Sequence, residues 1–319
     1  MLYLNGKNIS DAAEPGPVMD AVEKAYALEL AGDYDMPPRM HVYNGGNTIL
    51  YMPCFLSSIF GTKILTLFPG NSAKGKPVIE GLVLLNDPET GEPLALLDGA
   101  KLTAVRTGAV GGVAVRHITP ENSKTIGLIG AGVQGFHQLL FACTARNIER
   151  VYLYDKTRDK VSGLTGLLKK ALPDVRITPV ATVEELLESS EIVITATPAT
   201  YPVLPDNRDQ LKGKNFIGIG SYKPEMREFP EALFNLVSKV YIDTEHGLEE
   251  SGDLITPLKN GWIKPGQITK LGEVIGSGEA PGIGETTLFK SVGMALFDLV
   301  VSEMIFHNAL ERKIGTVLD

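Results

Sequence analysis

The pattern of hydrophobic and polar positions changes along the chain. Residues 17–31 have hydrophobic residues at helical spacing with a proline at the start, which predicts a helix. Residues 99–117 predict a second helix, rich in Ala, Val and Gly. Between them lie short β-rich runs separated by Gly, Pro and Asn, at 48–52, 61–67, 81–85 and 93–97, with a hairpin-type turn at 86–91.

From residue 125 onward, strand patterns alternate with helix patterns. We predict strands at 125–129, 151–154, 176–180, 191–196, 215–219 and 239–242, and helices at 133–146, at 158–172 and after Thr182. This alternation indicates a parallel, doubly wound sheet, whose ligands bind beyond the carboxyl ends of the strands. We expect residues 287–312 to form one long apolar helix that returns to the first domain.

A glycine-rich motif follows the strand at 125–129. It contains Gly130, Gly132 and Gly135 at the spacing Gly-x-Gly-x-x-Gly and opens the next predicted helix. Asp155 ends the following strand, 25 residues after Gly130. Glycines let the backbone approach a pyrophosphate, the helix N-terminus attracts that anion, and the acid accepts hydrogen bonds from a ribose. The combination predicts a dinucleotide site.

Composition narrows the class of protein. The 319 residues suit two domains, and 44% hydrophobic with 21% charged residues is typical of a soluble protein. A net charge of −8 without a basic cluster argues against a nucleic-acid partner. We expect no signal peptide and no membrane span. Cys54 and Cys143 lie far apart and form no metal motif, which favours reduced thiols in a cytoplasmic protein without a metal site.

Three cations stand out in the first part of the chain. Arg39 follows two prolines, Lys63 lies inside an apolar strand pattern, and Arg106 lies within a helix between Val105 and Thr107. A buried lysine is costly unless it is paired. Each cation alone is explained by partial exposure or a local ion pair. Together, in an acidic protein with a dinucleotide motif, they suggest a pocket for a carboxylate.

Motifs along nearly the whole chain resemble the ornithine cyclodeaminase/mu-crystallin family, in the family's order. They are Pro38-Arg39-Met40, Met52-Pro53, Gly61-Thr62-Lys63, Gly81-Leu82-Val83, Asp87, Thr90-Gly91-Glu92-Pro93-Leu94-Ala95, Ala104-Val105-Arg106-Thr107-Gly108-Ala109, the glycine motif, Glu250-Ser251-Gly252-Asp253, Leu271-Gly272-Glu273 and Phe289-Lys290-Ser291-Val292-Gly293.

The resemblance implies a Rossmann-type α/β domain inserted into a mixed α+β substrate and dimerisation domain. We expect the inserted dinucleotide domain at 119–295, and the other domain at 1–118 with 296–319. Family members are typically homodimers. Their activities include cyclising deamination of ornithine, reduction of cyclic ketimines such as Δ1-pyrroline-2-carboxylate, and alanine dehydrogenation. All of these reactions move a hydride between a nicotinamide and the carbon that bears the α-nitrogen.

The resemblance also implies roles for individual residues. Arg39, Lys63 and Arg106 would bind the substrate carboxylate. We also predict that Lys63 and Arg106 act in catalysis. Cofactor contacts would come from the three motif glycines and from Val133, Gln134, Asp155, Thr197 and Ser291, while Val292 would face the substrate. Ser221, after a strand end, is a further candidate for the nicotinamide carboxamide.

One departure from the family pattern shifts the expected reaction. Cyclodeaminases carry an Asp where this chain has Tyr222, and that Asp handles the proton of the substrate amine. The segment looks more like the ketimine-reducing branch. A second departure is Val78, where many relatives have Thr. We therefore expect a reductase that forms L-proline or its six-membered homologue. Ornithine cyclodeaminase, amino-acid dehydrogenase and a nucleotide-bound binding protein without turnover remain alternatives.

Cofactor choice and the proton donor stay open in the sequence. Asp155 favours NAD because a carboxylate repels a 2′-phosphate, although Lys156 and Arg158 could accommodate NADP. Lys63 could donate the proton if burial and nearby cations lower its pKa; otherwise it only binds the carboxylate and water supplies the proton. We expect the stretch 245–250 with Asp253 to form a solvated acidic loop.

Overall fold

The computed structural model describes residues 1–279, 281–282 and 284–319. The chain divides into two compact units, unit 1 (Met1–Arg106 with Met294–Asp319) and unit 2 (Thr107–Gly293). The division falls inside the helix Gly99–Ile118. That helix is continuous because its first breaking signal is Thr119-Pro120. The predicted domain bounds at 118/119 and 295/296 stay predictions.

The strands are β1 (Leu2–Leu4), β2 (Met40–Asn44), β3 (Asn47–Phe55), β4 (Phe60–Leu67), β5 (Ile79–Asn86), β6 (Pro93–Asp98), β7 (Thr125–Ile129), β8 (Arg150–Tyr154), β9 (Arg176–Pro179), β10 (Ile192–Thr195), β11 (Asn215–Gly218), β12 (Val240–Ile242), β13 (Ile268–Lys270), β14 (Thr287–Lys290) and β15 (Thr316–Val317). The α-helices are α1 (Gly6–Ala12), α2 (Pro15–Ala31), α3 (Gly99–Ile118), α4 (Val133–Ala145), α5 (Arg158–Ala171), α6 (Val183–Ser189), α7 (Arg208–Leu211), α8 (Glu231–Phe234), α9 (Gly247–Glu250), α10 (Gly252–Asn260), α11 (Leu271–Ser277) and α12 (Ala295–Glu311). Short 3₁₀ helices lie at Pro69–Lys74 and Pro265–Gln267.

Unit 1 is built on a sheet with the strand order β15-β1-β6-β5-β4-β3-β2. The four strand pairs from β2 to β6 are antiparallel, whereas β1 is parallel to β6. Side chains on a strand alternate between faces. Lys63 therefore shares a buried face with its cross-strand partners Met52 and Val83. Helix α12 covers this face so closely that a Cβ added to Gly61 would lie 3.3 Å from Cδ1 of Leu299.

Unit 2 contains the predicted parallel sheet, with the strand order β13-β12-β14-β11-β10-β7-β8-β9. Every pair in the described sheet is parallel. Its apolar core includes Phe216, Phe229 and Leu288, all fully buried. The α/β fold class expected from the alternating pattern is confirmed, and the carboxyl ends of β7, β10 and β11 meet at one edge.

The segment predicted as one helix from 287 to 312 is wrong in its first part. Thr287–Lys290 is a buried strand between β11 and β12 of the unit 2 sheet, and α12 begins only at Ala295. A short apolar run that is buried on both faces of a parallel sheet resembles a helix segment in sequence. Gly293, with φ +78°, separates the two elements. The remainder of the prediction is confirmed, because α12 belongs to unit 1.

Candidate functional site

The glycine motif forms a turn that other residues would not fit. Gly130 has φ +111°, and a Cβ there would lie 2.6 Å from the carbonyl oxygen of Ala196. A Cβ on Gly135 would lie 2.2 Å from the carbonyl oxygen of Gly130. A Cβ on Gly132 would meet nothing within 4 Å. Two glycines are therefore required by packing, while the third leaves open space at the start of α4.

The first turn of α4 leaves its backbone donors available to a ligand. Gly132 is the N-cap, and no side chain caps the helix. Val133, at the first helical position, is 69% exposed, and the buried Oε1 of Gln134 has no hydrogen-bond partner in the described chain. An uncapped helix N-terminus next to a glycine loop is an anion site.

Asp155 lies immediately beyond β8 and links two loops. Its Oδ2 accepts a hydrogen bond from the backbone N–H of Ala131 at 2.9 Å, and its Oδ1 accepts one from Thr157 at 2.8 Å. Each oxygen keeps a further lone pair. The carboxylate helps line a cavity of about 420 Å³, together with Gly130, Gly132, Lys156, Lys160 and Thr197. The cavity therefore combines the glycine loop with an acid and two lysines.

Glu228 is a buried acid that sequence reasoning missed. Its Oε1 accepts hydrogen bonds from the backbone N–H and the hydroxyl of Thr197, both at 2.8 Å, and its Oε2 accepts one from the N–H of Gly220 at 2.8 Å. Thr197 and Gly220 follow β10 and β11, so Glu228 joins the carboxyl ends of two neighbouring strands. The hydroxyl of Thr197 therefore already donates to protein.

Ser221 and Ser291 are also held by protein groups. The hydroxyl of Ser221 is fully buried and donates to the carbonyl of Met226 at 2.7 Å. Ser291 donates to Oδ2 of Asp243 at 2.6 Å. Asp243 also accepts hydrogen bonds from the backbone N–H groups of Val292 and Gly293, at 3.1 and 2.6 Å. Cofactor contacts of the two serines stay predictions, and Asp243 shapes the segment 291–293.

The sequence suggested that Asp253 belongs to a solvated loop, and this prediction is wrong. It is fully buried, and its Oδ1 accepts hydrogen bonds from the N–H groups of Glu228 and Phe229 at 2.8 and 3.1 Å. Desolvation raises the pKa of Asp253 to about 6, against an opposing effect of Lys290. The acidic pattern was misleading because buried N–H groups also need acceptors. In the stretch 245–250, Glu245 and Glu249 are exposed as expected, but Gly247–Glu250 forms α9 rather than a loop.

Lys290 lies at the end of β14 and is fully buried. Its Nζ donates to the carbonyl oxygen of Gly218 at 3.3 Å. Burial lowers the pKa of Lys290, whereas Asp253, Glu228 and Asp243 oppose that change. The lysine thus lies close to three buried acids of unit 2.

Lys63 and Arg106, both predicted site residues, are brought together by Asp298 of α12. Nζ of Lys63 lies 2.5 Å from Oδ2 of Asp298, and Nε of Arg106 lies 2.9 Å from its Oδ1. All three side chains are buried. Desolvation lowers the pKa of Lys63 to about 7, with Asp298 opposing and Arg106 and Arg39 reinforcing that change. Arg39 is itself half-buried.

Asp298 stays ionised despite its burial. Burial alone raises the pKa of its carboxyl, but the charges of Arg106 and Lys63 outweigh this effect and hold the pKa below its usual value. The cluster therefore contains one carboxylate, one permanent guanidinium and one lysine that titrates near neutrality. Because two buried cations share a single acid, the cluster can bind a further anion.

The remaining candidates are Tyr222 and three histidines. Tyr222 is 43% exposed, and Nζ of Lys223 lies 5.9 Å from its ring centroid. His41 and His246 are exposed, and buried His137 has Nδ1 2.9 Å from the carbonyl oxygen of Val133. The described residues contain no group of three potential metal ligands. They also include no helix with the length and apolar character of a membrane span.

The chain is similar to proteins of one known family. The model of the ornithine cyclodeaminase/mu-crystallin family matches residues 8–313. The chain is 37% identical to a Δ1-pyrroline-2-carboxylate reductase of Bacillus cereus over 285 residues, 86% of each protein.

Two solved structures have the same fold over the full chain. One is Δ1-pyrroline-2-carboxylate reductase from Thermococcus litoralis in complex with NADH and L-proline, with a TM-score of 0.93, 34% identity and complete coverage of both chains. The other is an archaeal alanine dehydrogenase dimer with bound NAD, with a TM-score of 0.91 and 27% identity, covering 100% of this chain and 99% of that one.

Proposed function

The chain belongs to the ornithine cyclodeaminase/mu-crystallin family, and from that premise we propose that it is an NADH-dependent reductase that converts Δ1-pyrroline-2-carboxylate to L-proline. The observation that carries the proposal is the buried pair Lys63 and Arg106, both held by Asp298. This pair can bind the carboxylate of an imino acid. The relatives with this activity and the bound NADH and L-proline of the Thermococcus litoralis enzyme support the assignment.

The glycine-motif cavity suits a dinucleotide. The open space at Gly132 and the uncapped start of α4 would receive the pyrophosphate, with Val133 and Gln134 in the first turn. Asp155 would accept hydrogen bonds from the adenosine ribose. Thr197, Ser221, Ser291 and the other motif glycines complete the proposed cofactor residues. When bound, the nicotinamide supplies the hydride for reduction.

The carboxylate of the substrate would be bound by cations of unit 1. The guanidinium of Arg106 offers two parallel N–H donors, Lys63 offers a compact charge, and Arg39 adds a third cation. An anchored carboxylate fixes which face of the imine is presented for reduction. Val292 is the proposed apolar contact to the substrate.

Lys63 is our proposed proton donor. A cyclic imine accepts a hydride at carbon far more readily when its nitrogen carries a proton. A lysine with a pKa of about 7 is partly protonated at neutral pH and gives up its proton easily. The ammonium of Lys63 would donate this proton to the imine nitrogen. Solvent would then reprotonate the amine of Lys63.

Other reactions of the family are weaker proposals. Ornithine cyclodeamination uses an acid where this chain has Tyr222. Alanine dehydrogenation is favoured by one observation, the similarity to an archaeal alanine dehydrogenase over the whole chain. A binding protein without turnover would not need a lysine poised to titrate near neutrality.

We further propose a homodimer formed through the sheet of unit 1. Its uncovered face carries one cross-strand row of apolar residues, Met40, Tyr51, Ile64 and Leu82, which are 37% to 60% exposed. Contiguous exposed apolar surface of this kind marks an interface. We expect Ile64→Asp to give monomers in light scattering, while Leu167→Asp, at an exposed position of α5, leaves dimers. A dimeric Ile64→Asp variant would contradict this interface.

A cytoplasmic location is part of the same proposal. Cys54 and Cys143 are free thiols. Burial raises the pKa of each to about 12, so both stay protonated and unreactive at neutral pH. Neither thiol takes part in the proposed reaction.

The function is tested by comparing three reactions of the purified protein. We expect oxidation of NADH with Δ1-pyrroline-2-carboxylate and formation of L-proline, with much slower oxidation of NADPH. Controls with pyruvate and ammonia, and with ornithine, measure alanine dehydrogenase and cyclodeaminase activity. Release of ammonia from ornithine with formation of proline, and no reduction of the imine, would contradict the proposal.

A further inference from the structure

Asp298 joins three elements of unit 1 that are far apart in sequence. It lies in the first turn of α12, and its two oxygens accept hydrogen bonds from Lys63 of β4 and Arg106 of α3. The side chains of Lys63 and Asp298 are 1% and 3% exposed. One carboxylate thus fixes both cations of the proposed substrate site.

The hydrogen bond to Arg106 involves only one edge of the guanidinium. Asp298 accepts from Nε, and in the described chain the two terminal nitrogens of Arg106 make no hydrogen bond. Those two nitrogens form the fork that grips a carboxylate by two parallel hydrogen bonds. A carboxylate on the Nε edge therefore sets the plane of the fork and leaves it available. Lys63 likewise keeps two of its three donors after the bond to Asp298.

The charges around Lys63 also indicate a role for Asp298. The groups that act on Lys63 are Asp298 from α12, Arg106 from α3 and Arg39 from the segment before β2. Cys54 of β3, which stays a neutral thiol, also experiences the charge of Asp298. Asp298 is the acid that opposes these cations at Lys63. Without it, the pKa of Lys63 would fall further, because the effects of Arg106 and Arg39 would no longer be opposed.

We propose that Asp298 is a positioning residue of the reductase, which orients Arg106 toward the substrate carboxylate and keeps Lys63 protonated. This inference rests on the proposed function. It extends that function because Asp298 binds neither substrate nor cofactor in the proposed reaction. A purely structural ion pair would affect folding, but it would not set the pH at which activity is lost.

The test uses Asp298→Asn and Asp298→Glu in the full-length protein, with Glu303→Gln as the matched control. Glu303 is a buried acid on the same helix that pairs with Lys24 and Ser58. Asparagine can accept from one cation only and carries no charge. Glutamate keeps the charge but moves it by one methylene. The Asp298→Glu variant is the basis of the test if the asparagine variant does not fold.

We expect Asp298→Asn to lower kcat/KM for Δ1-pyrroline-2-carboxylate by at least about 100-fold. The alkaline limb of its pH profile should move to lower pH by about one unit, because Lys63 loses its counter-charge. Asp298→Glu should lose about tenfold without moving that limb. Affinity for NADH, measured by fluorescence titration, should stay within about twofold of wild type, and Glu303→Gln should match wild type in all respects.

The outcomes separate this inference from the function itself. A wild-type protein that does not reduce the imine would refute the proposed function. An active wild type with an equally active Asp298→Asn variant would refute the positioning role. So would a loss of activity in Asp298→Asn with an unchanged pH profile, because that result indicates a structural ion pair only.

Discussion

The carboxylate of Asp155 accepts a hydrogen bond from the backbone N–H of Ala131 at 2.9 Å. The acid that would face the adenosine ribose is thus fixed to the loop that would hold the pyrophosphate. Lys156 and Lys160 line the same cavity. We therefore propose that the charge of this one carboxylate, among cations, determines the choice between NADH and NADPH.

We expect Asp155→Asn to shift cofactor preference toward NADPH. The substitution removes the negative charge that repels a 2′-phosphate, while one side-chain oxygen can still accept from the backbone of the loop. The ratio of kcat/KM for NADPH to that for NADH should rise on the order of tenfold. A ratio equal to that of wild type would show that Asp155 does not determine the choice.

Substitutions at the motif glycines should separate folding from binding. Gly135→Ala places a methyl 2.2 Å from the carbonyl oxygen of Gly130 and should cost about 2 kcal/mol of stability. Gly132→Ala fills open space, so it should fold normally but weaken NADH binding on the order of tenfold. Gly163→Ala, also in open space but within α5, is the control and should leave NADH binding unchanged. Normal NADH affinity in Gly132→Ala would argue against a pyrophosphate at this loop.

Lys63→Met should abolish most turnover without removing the substrate site. If Lys63 donates the proton, kcat should fall by about 100-fold or more at saturating substrate. In the wild type, kcat/KM should decline above pH 7, since the protonated lysine is lost there. Lys101→Met, at a half-buried position of α3, is the control. A near-normal kcat with a raised KM would leave Lys63 as a carboxylate ligand and assign the proton to water.

Asp253→Asn should flatten the pH dependence of stability. The folded-state pKa of about 6 lies above the ordinary 3.8, so the folded protein binds the proton more tightly than the unfolded chain does. Stability from this group is therefore gained as pH falls from about 7 to 4, and lost as pH rises, by about 3 kcal/mol. The free energy of unfolding of the variant, measured with denaturant, should lack this pH-dependent contribution. The control Asp33→Asn, at an exposed position, should leave the pH dependence of stability unchanged. Parallel pH curves for wild type and Asp253→Asn would contradict the raised pKa.

The sequence predicted what depends on local pattern. The parallel sheet, the glycine turn and the acid after β8 are all set by residues close together in the chain. Lys63 and Arg106 could be selected because charges in apolar surroundings require a partner. The strand at Thr287–Lys290 was taken for a helix because a short buried apolar run lacks a distinguishing period.

The partners of the site residues could not be predicted in this way. Asp298 lies 235 residues from Lys63 and 192 residues from Arg106, within a helix that has apolar residues all around it. Glu228 looked like one acid in a polar segment, yet it joins the ends of β10 and β11. Only the folded chain brings these acids to their partners. The sequence therefore identified the cations but not the acid that pairs with them.

The most direct test of the central claim follows the hydride itself. The protein is incubated with NADH that carries deuterium at C4 of the nicotinamide, together with Δ1-pyrroline-2-carboxylate, and the product is analysed by mass spectrometry and NMR. We predict L-proline with a single deuterium at Cα when the transferred position is labelled. Absence of proline formation and of NADH oxidation, or proline formed without deuterium from either labelled face, would contradict the account.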